Sequence, residues 1–143
     1  MNTVKTLCDD ISLLGESPIW NSSSDSLFWV DIDDNKLKQW NEHGLLIRKL
    51  EHQPTSVGLD PSLTPNQIFM TVSDGLGIYD LRDNKYHEQY HLEVKNTRLN
   101  DGTFDLAGKY WVGSMDTRQN KKPIGTVYRY SNNYLEPMID HIG

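Results

Sequence analysis

The sequence predicts an all-β chain built as part of a β-propeller, with about three four-stranded blades. Three observations lead there. Short strand-like runs, separated by turn residues, recur with a period of roughly forty residues. No helical pattern of useful length interrupts them. The aromatic content also leans toward strands, with four Trp and seven Tyr against three Phe in 143 residues.

The first repeat covers 13–52 and reads as strands at 16–21, 26–31, 36–40 and 45–50. Turn residues divide them: Asn21-Ser22-Ser23-Ser24 after the first strand and Asp33-Asp34-Asn35 after the second. The second repeat, 53–95, gives strands at 55–60, 67–72, 76–80 and 86–94, with turns at Pro61-Ser62 and Asp83-Asn84. The third, 96–143, gives strands at 100–105, 109–113, 125–130 and 134–139, with a turn at Ser131-Asn132-Asn133. Aromatic residues align across the repeats as Trp29, Phe69 and Trp111, and as Trp40, Tyr79 and Tyr128. That alignment favours a propeller over an ordinary antiparallel sandwich. Glu16, Thr55 and Asn100 each lie five residues before the turn residue that closes the first strand: Asn21, Asp60 and Asp105. The first strand of a blade lines the central channel, so these three side chains are expected to converge at one channel end.

Composition narrows the function. The net charge of -6 argues against nucleic acid as a partner, because phosphate binding needs a basic face. No apolar run approaches membrane-spanning length, so no membrane partner is expected. Cys8 is the single cysteine, which rules out an internal disulfide and suits a reducing compartment. The first ten residues hold no apolar core of signal-peptide length. A cytoplasmic location is the resulting expectation.

Three stretches carry a specific resemblance: Gly15-Glu16-Ser17-Pro18-Ile19-Trp20, then Leu27-Phe28-Trp29-Val30-Asp31-Ile32, then Arg98-Leu99-Asn100-Asp101-Gly102 followed by Asp105-Leu106-Ala107-Gly108-Lys109-Tyr110-Trp111-Val112-Gly113-Ser114-Met115. With them the chain resembles the senescence marker protein/gluconolactonase (regucalcin-like) family from Leu13 to Ile139. The resemblance implies a propeller of the six-bladed type holding one divalent metal in its channel. It implies that Glu16 is a metal ligand and that Arg98 and Asn100 bind substrate. The family's other metal ligands, an Asn and an Asp, come from later blades and have no counterpart here. The chain therefore matches the N-terminal half, truncated to about three blades, and the C-terminal half of the propeller is an expected partner. Arg118 stands where some relatives place an acidic substrate contact, which unsettles the expected sugar specificity.

The implied activity is metal-dependent hydrolysis of a sugar lactone, with water attacking the lactone carbonyl. A cation held by oxygen ligands can polarise that carbonyl and lower the pKa of a bound water. Calcium, magnesium and manganese suit oxygen ligation, and zinc also accepts carboxylate. Arg98 would fix sugar oxygens through its rigid fork. Asn100 would donate to one hydroxyl and accept from another. With Glu16 as its only ligand, the chain alone is expected to show little activity. The alternative is a non-catalytic propeller fragment that binds a cation or a partner protein. Arg98 has a plainer alternative too, a salt bridge to Asp101 or Asp105, and Asp101 reads as a turn-forming residue.

Two motifs point elsewhere and are set aside. His87-Glu88-Gln89-Tyr90-His91 fits the zinc-protease pattern, but that chemistry needs a helix. On a strand both imidazoles would share a face about 13 Å apart. Asp31-Ile32-Asp33-Asp34-Asn35-Lys36 with Glu42 approaches a calcium loop, but Lys36 replaces the required glycine. A hairpin turn explains it better. His43, His52 and His141 are expected in solvent, and the four tryptophans in the core between blades.

Overall fold

The computed structural model describes residues 3–93 and 95–143. Among them are twelve strands and no helix, in three four-stranded antiparallel sheets that each follow chain order. Sheet one holds β1 (Gly15–Asn21), β2 (Ser26–Asp31), β3 (Lys36–Asn41) and β4 (Gly44–Lys49). Sheet two holds β5 (Pro54–Gly58), β6 (Gln67–Val72), β7 (Gly75–Asp80) and β8 (Lys85–His91). Sheet three holds β9 (Thr97–Phe104), β10 (Tyr110–Asp116), β11 (Gly125–Ser131) and β12 (Tyr134–Ile142). The first strands neighbour one another, β1 beside β5 and β5 beside β9, so the sheets fan out as blades from a common inner edge.

The middle sheet shows why the blades stack. Side chains alternate across a strand, and sheet two uses both faces. Val57, Ile68, Met70, Val72 and Tyr79 join Phe28, Val30 and Leu37 of sheet one in one buried cluster. Phe69 and Leu76 join Leu99, Tyr110, Val112, Tyr130 and Leu135 of sheet three in a second. Both clusters are close to fully dehydrated, and burial of that kind is the main favourable term in folding. The Tyr110 hydroxyl also meets Ser56 Oγ at 2.9 Å and Thr71 Oγ1 at 2.8 Å across the second interface.

The turn residue closing each first strand has a clear job. Asn21 Oδ1 accepts the Ser23 N–H at 2.9 Å, Asp60 Oδ1 the Ser62 N–H at 2.8 Å, and Asp105 Oδ1 the Ala107 N–H at 2.9 Å. Each is a side chain folding its own backbone over by two residues.

Registers correct several expectations. Cross-strand pairing makes Phe28, not Trp29, the equivalent of Phe69 and Trp111. It makes Tyr130, not Tyr128, the equivalent of Trp40 and Tyr79. Because the strand period is two, a slip of one residue moves a side chain to the other face. The tryptophans do not fill the core. Trp20, Trp29 and Trp40 share the face of sheet one that points away from sheet two. Trp111 lies on the face of sheet three that points away from sheet two. No sheet among the described residues covers either face, and Trp20 stays 49% exposed.

The His87–His91 segment is strand β8, without a helix. A bulge at Gln89 shifts its register against β7. His87 pairs with Ile78 and His91 with Gly75, so the bulge turns the two imidazoles to opposite faces, instead of one. For the same reason Tyr86 packs into the first cluster and Tyr90 into the second. The strand ends at His91, short of the expected extension through Leu92 and Glu93, and Val94 lies outside the described residues. The Asp31–Lys36 stretch is the β2–β3 hairpin, with Asn35 at φ 50° in the left-handed region that asparagine tolerates. His43, His52 and His141 are exposed.

Candidate functional site

All three innermost strands carry a β-bulge near the expected site position. In β1 the pairing skips between Glu16 and Ile19; in β5 it skips at Thr55; in β9 it skips through Asn100 and Asp101. A bulge inserts one unpaired residue and re-aims the neighbouring side chains, and bulges gather beside active sites. Asp101 therefore sits in a strand bulge, not in a turn, and its Oδ1 accepts the N–H of Gly102 at 2.9 Å.

The bulge in β1 is anchored to the next blade. Ser17 takes a φ of 54°, unusual for a residue with a Cβ. Its Oγ donates to Val57 O at 3.2 Å and accepts the Val57 N–H at 3.1 Å. Glu16 immediately precedes this anchor and is exposed. Pro18, next along, has no N–H to lose to the broken ladder.

In β9 the Arg98 guanidinium is half-buried. Its Nη1 donates to Asn100 Oδ1 at 2.9 Å and to Leu99 O at 3.1 Å. Burial lowers the Arg98 pKa below its ordinary value, while the carboxylates of Asp33 and Glu16 act in the opposite direction. Arg98 thus binds Asn100 directly and feels the charge of Glu16, which lies on the first inner strand. Asp33, from the β2–β3 turn, acts on Arg98 in the same direction. The salt bridges to Asp101 or Asp105 do not form among the described residues. Asp105 instead accepts from Trp111 Nε1 at 2.8 Å and from the backbone of Ala107 and Lys109. Arg98 therefore occupies part of the acceptor capacity of Asn100 Oδ1.

Thr55 is 1% exposed, and its hydroxyl has no hydrogen-bond partner among the described residues. Arg118 is committed elsewhere: it grips Asp116 with Nε at 2.8 Å and Nη2 at 2.7 Å, and holds that carboxyl far below the usual range. Asp116 pairs with Thr97, so this ion pair flanks the strand start that carries Arg98. Asp33 was missed in the sequence because it reads as a hairpin turn residue. The available signal was antiparallel geometry, which brings the β2–β3 turn to the end where β1 begins.

Among the described residues, no group of three or more His, Cys, Asp and Glu side chains is placed to hold a metal ion. A hard dication takes six or more oxygens. Glu16 offers one carboxylate, so the residues of this chain do not by themselves fit the implied metal. Nor is any helix among the described residues long and apolar enough to cross a membrane.

Comparison with known proteins settles the family. The SMP-30/Gluconolactonase/LRE-like region pattern matches residues 14–143. The chain belongs to this family. Rabbit (Oryctolagus cuniculus) regucalcin is 33% identical over 105 residues, which are 71% of this chain and 34% of that protein. The Bacillus subtilis protein YvrE, provisionally named a sugar lactone lactonase, is 26% identical over 123 residues, or 85% of this chain and 41% of its own. The crystal structure of a calcium-binding regucalcin from Agrobacterium tumefaciens superposes with a TM-score of 0.85 at 21% identity, covering 95% of this chain and 46% of the other. At that identity the likeness shows the fold. The chain thus spans less than half the length of these family members, and its three sheets are about half of such a propeller.

Proposed function

We propose that this chain supplies the substrate-orienting part of a sugar-lactone hydrolase site at one end of a propeller channel. The observation that carries the proposal is the Arg98–Asn100 pair on a bulged inner strand, within charge reach of Glu16. A sugar lactone is an ester surrounded by hydroxyls. Arg98 keeps Nε and Nη2 for ring or carbonyl oxygens, and Asn100 keeps its amide hydrogens for a hydroxyl. Glu16 is the chain's share of a divalent-metal site whose other ligands lie outside these residues. The family name and the name of the B. subtilis relative support the substrate class.

The test is lactone hydrolysis with and without chelator, on residues 1–143 and on a form extended by the relatives' further blades. The extended form is expected to turn over in a chelator-sensitive way and to lose activity on Glu16→Gln. Residues 1–143 alone are expected to show little turnover. Strong chelator-sensitive turnover by residues 1–143 alone would overturn the assignment of ligands outside the chain.

A further inference from the structure

All four tryptophans lie on the two sheet faces that no other sheet among the described residues covers, and register equivalence says what those faces match. At the interface of sheets two and three, Phe69 packs against Tyr110 at 4.6 Å, Phe104 at 5.2 Å and Tyr130 at 5.8 Å between ring centroids. The same pairing positions exist on the free faces. Trp111 is the equivalent of Phe69. Trp20, Leu27 and Trp40 pair with one another as Phe104, Tyr110 and Tyr130 do. Leu45 beside Trp40 completes the row, as Leu135 does beside Tyr130. The donor face of sheet three and the acceptor face of sheet one are therefore the two halves of an interface that this chain already builds twice internally.

We propose that a second copy of this chain covers both faces. Trp111 of each copy would seat on the Trp20–Leu27–Trp40 row of the other. Such a contact is head-to-tail, and it closes only if the rotation suits. Three sheets form about half of the ring, since they span 46% of a matching propeller chain. A two-fold axis along the channel therefore closes two copies into one six-bladed ring, with no free face left for a third. The rim fits this arrangement. Leu7 and Ile11, 55% and 84% exposed, precede sheet one, and Ile139 and Ile142, 56% and 38% exposed, edge sheet three. Residues 10–12 lie over Lys38 and Trp29 but leave the Trp20 row open. Exposed apolar area of this kind marks an interaction surface. On the opposing face, Arg129 Nε is buried without a hydrogen-bond partner among the described residues.

Sedimentation equilibrium on residues 1–143 tests the proposal and needs no lactone. The expected mass is twice the 16.5 kDa of the chain, with reversible dissociation on dilution. Trp20→Lys and Ile139→Lys, both at exposed positions, should each weaken association by about tenfold or more with unchanged circular dichroism. Mixing the two variants should restore a dimer, because the mixed pair keeps one intact interface. That recovery also shows that both variants fold. A wild-type chain that stays monomeric at high concentration would overturn the proposal, as would growth into open polymers or variants that do not complement. A monomer that instead captures a separately produced C-terminal half would assign the faces to that partner.

Discussion

Ser17 and Val57 are joined by two hydrogen bonds through one hydroxyl: Ser17 Oγ donates to the carbonyl of Val57 and accepts its N–H. That pair fixes the first inner strand to the second immediately beside Glu16. It also explains why a residue with a Cβ tolerates the left-handed backbone here. Ser17→Ala removes both bonds and leaves a buried N–H and C=O unpaired, at a cost of about 1–3 kcal/mol. Urea unfolding should show a lower midpoint. An unchanged midpoint would mean that the pair contributes nothing.

Asp31 is a second anchor. It is 1% exposed, accepts the N–H groups of Leu13 and Leu14 at 3.1 and 3.0 Å, and lies 3.2 Å from the buried Lys38 ammonium. Among the described residues, Asp31→Ala leaves Lys38 with Asp10 as its one counter-charge, so about 3 kcal/mol or more should be lost. Asp31→Ala combined with Lys38→Met should recover part of that loss. Failure of the double variant to recover would remove the ion pair from the explanation.

Tyr110 ties sheet two to sheet three. Burial pushes its hydroxyl up to about 12, with Ser56 and Thr71 acting the other way. Tyr110→Phe keeps the ring but strands two buried hydroxyls, at about 1–3 kcal/mol. Chemical denaturation should register the loss, and stability equal to wild type would show that water satisfies both groups.

Acid should destabilise the fold through its aspartates. Asp80 is held at about 2, first by the Arg82 side chain and then by the Arg82 N–H. Asp116 is held lower still by Arg118, and Asp105 is lowered by Trp111 and its backbone donors. For Asp31, burial acts upward, but the two N–H groups and Lys38 outweigh it. A folded-state pKa below the unfolded value of about 3.9 gives stability that is present above pH 4 and lost as pH falls through the folded values. The melting temperature should be flat from about pH 5 upward and fall between about pH 4 and pH 2. A decline beginning near pH 6 would implicate histidines instead.

The fold was legible because spacing survives in sequence. Asn21, Asp60 and Asp105 mark the ends of three first strands, and counting back five residues reaches Glu16, Thr55 and Asn100 on the three bulged segments. Facing was less legible. Trp29 and Tyr128 were aligned one and two residues out of register, because a hairpin's register depends on its turn and not on aromatic spacing. The Gln89 bulge left no mark in the alternation of Tyr86 and Tyr90. The tryptophans read as core because they are large and apolar, but burial also requires a neighbouring sheet. Arg98 was legible as a candidate site residue through its motif, whereas its bond to Asn100 depends on the β9 bulge.

The most direct measurement of the central claim is a ¹⁵N-resolved NMR titration of the chain with a sugar lactone or its aldonic acid. Saturable shifts are predicted at Arg98 and Asn100 side-chain signals and at the Glu16 and Thr55 amides, with none along Lys85–His91. Arg98→Ala should abolish the shifts at Asn100. Shifts clustering in the separate cavity lined by Leu50, His52, Tyr79 and Tyr86, or undiminished binding in Arg98→Ala, would contradict a lactone site at this channel end.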